Sequence, residues 1–328
     1  MTDARLNLLL FAAAALAVLA ACFLGSTPLP GGRLLAALIG AGTPGDETVV
    51  WAIRLPRAVA ALAVGGALGL SGAALQGLLR NPLAEPGVLG VSATASLAAT
   101  FTLYYGLVEQ SGWALPLAAV AGALAATALL AVAAVRTRSV VTLILIGVGL
   151  SSFAGGAMAL LMNLAPNPFS LADMVNWTLG SVANRSWADL GVAAPLLLAG
   201  AGILFASRRG LSALTLGEEA AAGVGLNVGR QRLLVVIGAG VATGAAVSVA
   251  GTIGFVGIVA PHLVRPLTGH DPARSLLPSA LLAGLLLVLA DIVVRVLPTD
   301  AELKLGVVAA LIGAPVFVWI AASRRSVA

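Results

Sequence analysis

The chain has 328 residues, 60% of them hydrophobic and only 9% charged, with a formal net charge of +5. A soluble domain carries about a quarter charged residues, so an ordinary globular enzyme is excluded. The basic residues stand singly or in pairs at the ends of apolar runs, a pattern of juxtamembrane loops and not of a nucleic-acid surface.

In chain order, apolar runs of the roughly twenty residues that a bilayer crossing needs predict long helices. They cover 5–25, 55–79, 114–135, 140–164, 187–207, 230–250, 274–296 and 304–322. The first, "RLNLLLFAAAALAVLAAC", has the basic start and small residues of a lipoprotein signal, but its apolar run reaches Gly25 and further spans follow, so it is read as a membrane helix. Its Cys22 is the single cysteine, which excludes an internal disulfide and a Cys-based metal site. Two shorter, interrupted spans are expected at 88–106, entered through "RNPLAEPGVLG", and at 256–268, entered through "GTIGFVGIVAPH".

The expectation is therefore an all-α polytopic membrane protein with ten spans in a single transmembrane domain, 1–328. Of the 18 basic residues, twelve fall on one side of this arrangement, from Arg5 to Arg324 and Arg325. That side is read as cytoplasmic, with both termini on it. Arg33, Arg54, Arg57, Arg185, Arg295 and Lys304 fall on the other side. The interrupted spans are the third of each set of five, which suggests an inverted repeat, about 1–165 and about 185–328. Gly87 and Gly90 mark one break; Gly251, Gly254, Gly257 and Pro261 mark the other. Backbone broken at this depth is expected to be buried in protein or to line a path.

Chemistry-bearing motifs are few. There is no G-x-x-x-x-G-K-[ST] loop, and Lys304 is the only lysine. His262 and His270 stand alone, and no H-E-x-x-H occurs. Asp291 is the main ionisable residue inside a span, a functional candidate by position, although a local pair with Arg295 four residues on is the simpler account and the one favoured. So few buried carboxylates argue against an ion-driven carrier, the alternative class. The polar stretch "LTLGEEAAAGVGLNV" at 214–228 reads as two short elements split by a turn, too polar to cross a membrane. It is either a solvated loop or a docking site for a cytoplasmic partner.

The stretch "RLPRAVAALAVGGALGLSGAALQGLLRNPLAEPGVLGVS" at 54–92 resembles the signature of the permease subunits of bacterial ABC importers for vitamin B12, haem and iron–siderophore complexes. "WTLGSVANRSW" (177–187), "LGEEAAAGVGLNV" (216–228), "GTIGFVGIVAPHLVR" (251–265) and "LGVVAALIGAPVFVWI" (305–320) follow in the same order. The resemblance implies an inner-membrane homodimer of ten-helix chains with no cofactor of its own. ATP and Mg are expected on two cytoplasmic ATP-binding subunits, and cargo is expected from a periplasmic binding protein. It assigns ATPase coupling to Leu216, Gly217, Glu218, Glu219, Ala220, Gly223, Gly225 and Leu226, within cytoplasmic coupling helices at about 212–228. It assigns docking of the binding protein to Arg54, Arg57 and Arg295, whose forked guanidinium groups suit carboxylates. A cytoplasmic gate is expected at Ser139, Val140 and Thr142, and a substrate path along Ser151, Met158, Met162 and Asn163, where methionine adapts to a bulky cargo. The stretches at 78–92 and 216–228 look nearest to haem permeases, so haem is the expected cargo, with siderophore or vitamin B12 as alternatives.

Overall fold

The computed structural model describes residues 2–25, 29–137, 139–297 and 302–323. All regular structure among these residues is helical. The chain begins with α1 (Asp3–Phe23) and α2 (Gly31–Leu38). The short α3 (Pro44–Glu47) continues through a π-helical stretch, Thr48–Arg54, into α4 (Leu55–Leu79). A 3-10 turn, Pro86–Leu89, precedes α5 (Val91–Tyr104), followed by α6 (Leu107–Gln110), α7 (Ala114–Arg136), α8 (Val140–Asn163) and α9 (Pro168–Thr178). Then come α10 (Trp187–Ala206), α11 (Arg208–Ala213) with a 3-10 turn at Leu214–Leu216, and α12 (Glu218–Gly223). The chain continues with α13 (Val228–Ala250), α14 (Val256–Val264), α15 (Pro272–Val296) and α16 (Leu305–Ser323).

A helix stands at each place where a span is expected. Seven segments are long and apolar enough to cross a bilayer by length and composition: α1, the run through α3 and α4, α7, α8, α10, α13 and α15. Helix starts follow local chemistry. Ser186 and Asp189 form a capping box on α10, and Asn167, Asn227 and Asp271 cap α9, α13 and α15. Each such cap satisfies an amide that the helix itself cannot, at about 1 kcal/mol.

The core lies along α4 and α13, which are the most enclosed of the long helices and pack on each other. α4 also packs on α15 and α14, while α13 packs on α7 and α5. Small residues allow these approaches. Gly72 of α4 lies against the main chain of Gly257, with no room for a Cβ between them.

One expected break is shorter than the sequence suggests. Gly251, with φ of +68°, and Gly254 lie in non-helical backbone, but Gly257 and Pro261 are inside α14. Pro261 has no N–H to give to the carbonyl of Gly257 four residues earlier. That oxygen instead accepts from Gln76 Nε2 of α4 at 3.5 Å, so the helix continues through the proline.

Candidate functional site

Arg54, Arg57 and Arg295 meet at one end of the bundle, and all three are buried, with 5%, 9% and 9% exposure. The π-helical stretch turns Arg54 inward, where its Nη1 donates to the carbonyls of Cys22 and Phe23 at 2.9 and 3.3 Å. Arg57 grips Asp291 of α15 through Nε at 3.0 Å and Nη2 at 2.8 Å, and its Nη2 also bonds Glu302. The expected Asp291–Arg295 pair is present, with Arg295 Nη2 at 3.0 Å from the second carboxylate oxygen. Arg295 Nη1 donates to Ala21 O at 3.1 Å. The cluster thus ties α1, α4 and α15 together, and its guanidinium groups are engaged within the chain.

The 214–228 stretch lies beyond the ends of α10 and α13 as two short helices. Gly217, with φ of +99°, turns the chain between the 3-10 turn and α12, and Gly225, with φ of +90°, turns it toward α13. Both turns use left-handed backbone that favours glycine. Ala221 is buried and anchors α12, while Leu216 and Val224 are 65% and 70% exposed. Glu219, Ala220 and Gly223 are exposed, and Leu226 is half-buried. Glu218 is half-buried and takes Arg232 Nη2 at 3.2 Å, joining α12 to α13. The patch therefore presents two apolar side chains and one acid, Glu219, that has no ion pair among the described residues, on a stiff base.

At the same end as α12, Ser139 caps α8 by accepting from Thr142 N at 3.3 Å. Ser139 and Thr142 are exposed, and Val140 is half-buried. Further along α8, Ser151 Oγ donates to Gly87 O at 3.4 Å, fixing α8 on the Pro86–Leu89 turn. Met158 and Met162 are half-buried one turn apart, and Asn163 is exposed at the helix end. α8 is the least enclosed of the long apolar helices, so this face has room for a neighbour.

The two interrupted segments touch. Glu85 Oε2 accepts from Phe255 N at the start of α14 at 3.2 Å, and Ser96 Oγ lies 2.7 Å from Thr252 Oγ1. A carboxylate at a helix N-terminus is favoured by the helix dipole.

Residues 12–323 match the FecCD transport family over nearly the whole chain. The chain belongs to this family. It is 43% identical over 288 residues to the uncharacterized ABC transporter permease protein YvrB of Bacillus subtilis, covering 86% of this chain and 81% of that protein. It is 40% identical over 289 residues to the vitamin B12 import system permease protein BtuC of Citrobacter koseri, covering 86% and 87%. A solved structure of a metal-chelate type ABC transporter in an inward-facing conformation superposes with a TM-score of 0.85 at 29% identity, covering 98% of this chain and 99% of that one. The FecCD-family chain is thus a multi-pass permease of the ABC-importer kind.

Sequence reasoning missed several partners in this FecCD-family chain. Glu302, Glu85, Gln76 and Arg232 hold elements far apart in sequence. Only Glu85, a carboxylate inside a Pro- and Gly-rich interruption, carried a local hint.

Proposed function

We propose that the chain is the membrane subunit of a bacterial inner-membrane importer for a large metal chelate, acting as a homodimer. Two cytoplasmic subunits bind ATP and Mg on its inner face, and a periplasmic binding protein delivers cargo to the outer face. The observation that carries this reading is the 214–228 patch. Two short helices expose Leu216, Glu219 and Val224 on a base fixed by Ala221 and the Glu218–Arg232 pair. That is a surface suited to receiving force from a partner.

Ten spans in two inverted sets of five fit the packing pattern. Exchanging the second, third and fourth helices of one set for those of the other turns the α4–α15 contact into α13–α7, and α4–α14 into α13–α5. Both termini are then cytoplasmic. In the cycle, closure of the ATPases moves α11 and α12, and the push reaches α10 and α13. The α8 start at Ser139, Val140 and Thr142 opens or closes the inner end of a path along Ser151, Met158, Met162 and Asn163. The second copy supplies the opposite wall.

The binding protein meets the end that carries Arg54, Arg57 and Arg295. Because these side chains are engaged internally, they serve docking chiefly by holding α1, α4 and α15 in register, and Arg57 reaches a partner carboxylate only by releasing Glu302. Vitamin B12 is the first cargo to test, since BtuC relatives at 40% identity and above bear that name. Haem and a ferric siderophore are the comparison arms. The test is uptake into proteoliposomes holding the permease with its ATPase and binding protein. ATP-dependent uptake of one chelate supports the reading. Equal uptake with a hydrolysis-dead ATPase overturns it.

A further inference from the structure

A cavity of about 390 Å³ lies at the Arg57 end of the bundle, between α9, the loop that follows it, the end of α13 and Lys304. Its walls carry two buried hydrogen-bond donors, Arg185 Nε and Trp177 Nε1, that meet no acceptor among the described residues. The Arg185 guanidinium sits over the Trp177 ring, 5.5 Å from its centroid, which orients a cation without supplying any acceptor. Lys304, Asn176 and Asn184 line the same space, and Asp173 is the one carboxylate among the lining residues. Burial pulls the Arg185 guanidinium below its usual range, with Asp189 partly opposing this.

The cavity is also firmly built. Ser181 N donates to Ala250 O at 2.7 Å, and Gly306 N donates to Gly180 O at 3.1 Å, so the loop is stitched to α13 and α16 on both sides. Buried donors left without acceptors in a fixed pocket are uncommon and call for an explanation. A ligand rich in acceptor oxygens and carrying negative charge satisfies both orphans and the charge of Arg185 and Lys304 together.

We propose that this cavity is a binding site for an oxyanion, a phosphate or carboxylate group, held by Arg185 with Lys304 and oriented by Trp177 Nε1 and Asn176. Nothing in the transport cycle above uses these residues, and the inference does not depend on which chelate is carried. A free anion and the headgroup of an anionic phospholipid share the required chemistry.

The experiment uses the full-length chain purified in an uncharged detergent. Binding of inorganic phosphate and of succinate is measured by calorimetry, with succinamide as the uncharged control. Binding of phosphatidylglycerol against phosphatidylcholine is measured by native mass spectrometry. The wild type is expected to bind a charged probe and to ignore succinamide and phosphatidylcholine. Arg185→Gln is expected to weaken binding at least about ten-fold, the scale of one lost charged hydrogen bond. Lys304→Gln, which leaves Trp177 covered, provides a second variant should Arg185→Gln fold poorly, and weaker binding is expected there too. Binding of phosphate or succinate identifies a free-anion site, and binding of phosphatidylglycerol alone identifies a lipid headgroup site. No charged probe bound by the wild type, or equal affinity in a folded Arg185→Gln variant and in Lys304→Gln, overturns the proposal.

Discussion

Replacing Asp291 with Asn is expected to harm the protein more than replacing either of its arginine partners. Asp291 is 1% exposed and faces two guanidinium groups, Arg57 at 2.8 Å and Arg295 at 3.0 Å. Removing its charge leaves Arg295 beside Arg57 with no carboxylate of its own and Arg57 with Glu302 alone, and breaking a buried pair from one side costs about 3–5 kcal/mol. Arg57→Met is milder, because Asp291 keeps Arg295. The loss is then nearer that of charged hydrogen bonds, about 1.5–3 kcal/mol. The assay is unfolding of the purified chain by SDS from mixed micelles, followed by circular dichroism. Asp291→Asn should lower the midpoint further than Arg57→Met or Arg295→Met, and Arg57→Glu should fail to give folded protein, since it sets a carboxylate against Asp291. If Asp291→Asn is as stable as the wild type, or Arg57→Glu folds normally, the arginines are not held as the structure shows. They would then be available to a docking partner directly.

Two further outcomes follow from close contacts. Gly72→Ala should abolish folded, monodisperse protein on size-exclusion in detergent, because the added methyl runs into the main chain of Gly257; a normal elution profile would contradict that approach. Glu85→Ala should lower the unfolding free energy in SDS by about 1–3 kcal/mol through the unmet Phe255 amide, while Glu85→Gln, which keeps an acceptor, should lose less; equal losses would show that Glu85 does not cap α14.

Helix positions were largely legible because lipid imposes long apolar runs. The span expected at 55–79 coincides with α4, and 140–164 differs from α8 by one residue. The elements that went unread are short and mixed in polarity. α2, α9 and the π-helical entry to α4 contain Gly, Pro, Asp or Arg and are too short to stand out as span-length apolar runs. At the sites, local spacing revealed the Asp291–Arg295 pair and the Gly225 turn that follows α12, whereas Gly223, which also reads as a break, lies inside α12. It could not reveal that Arg54 and Arg57 face inward. That depends on the carbonyls of Cys22 and Phe23 and on Asp291, which is 234 residues from Arg57 in the chain. Likewise the proline in α14 reads as a break in the sequence, because the partner of the freed Gly257 carbonyl, Gln76, lies 181 residues away.

The proposed function requires that the 214–228 patch face the cytoplasm and be gripped there by the ATPase. Glu219→Cys tests it directly, because Cys22 is fully buried and does not compete for a thiol reagent. A membrane-impermeant maleimide should label Cys at this position in inverted vesicles and not in spheroplasts, and bound ATPase subunits should protect it. Labelling from outside the cell, or labelling unchanged in the complete assembly, would contradict the account.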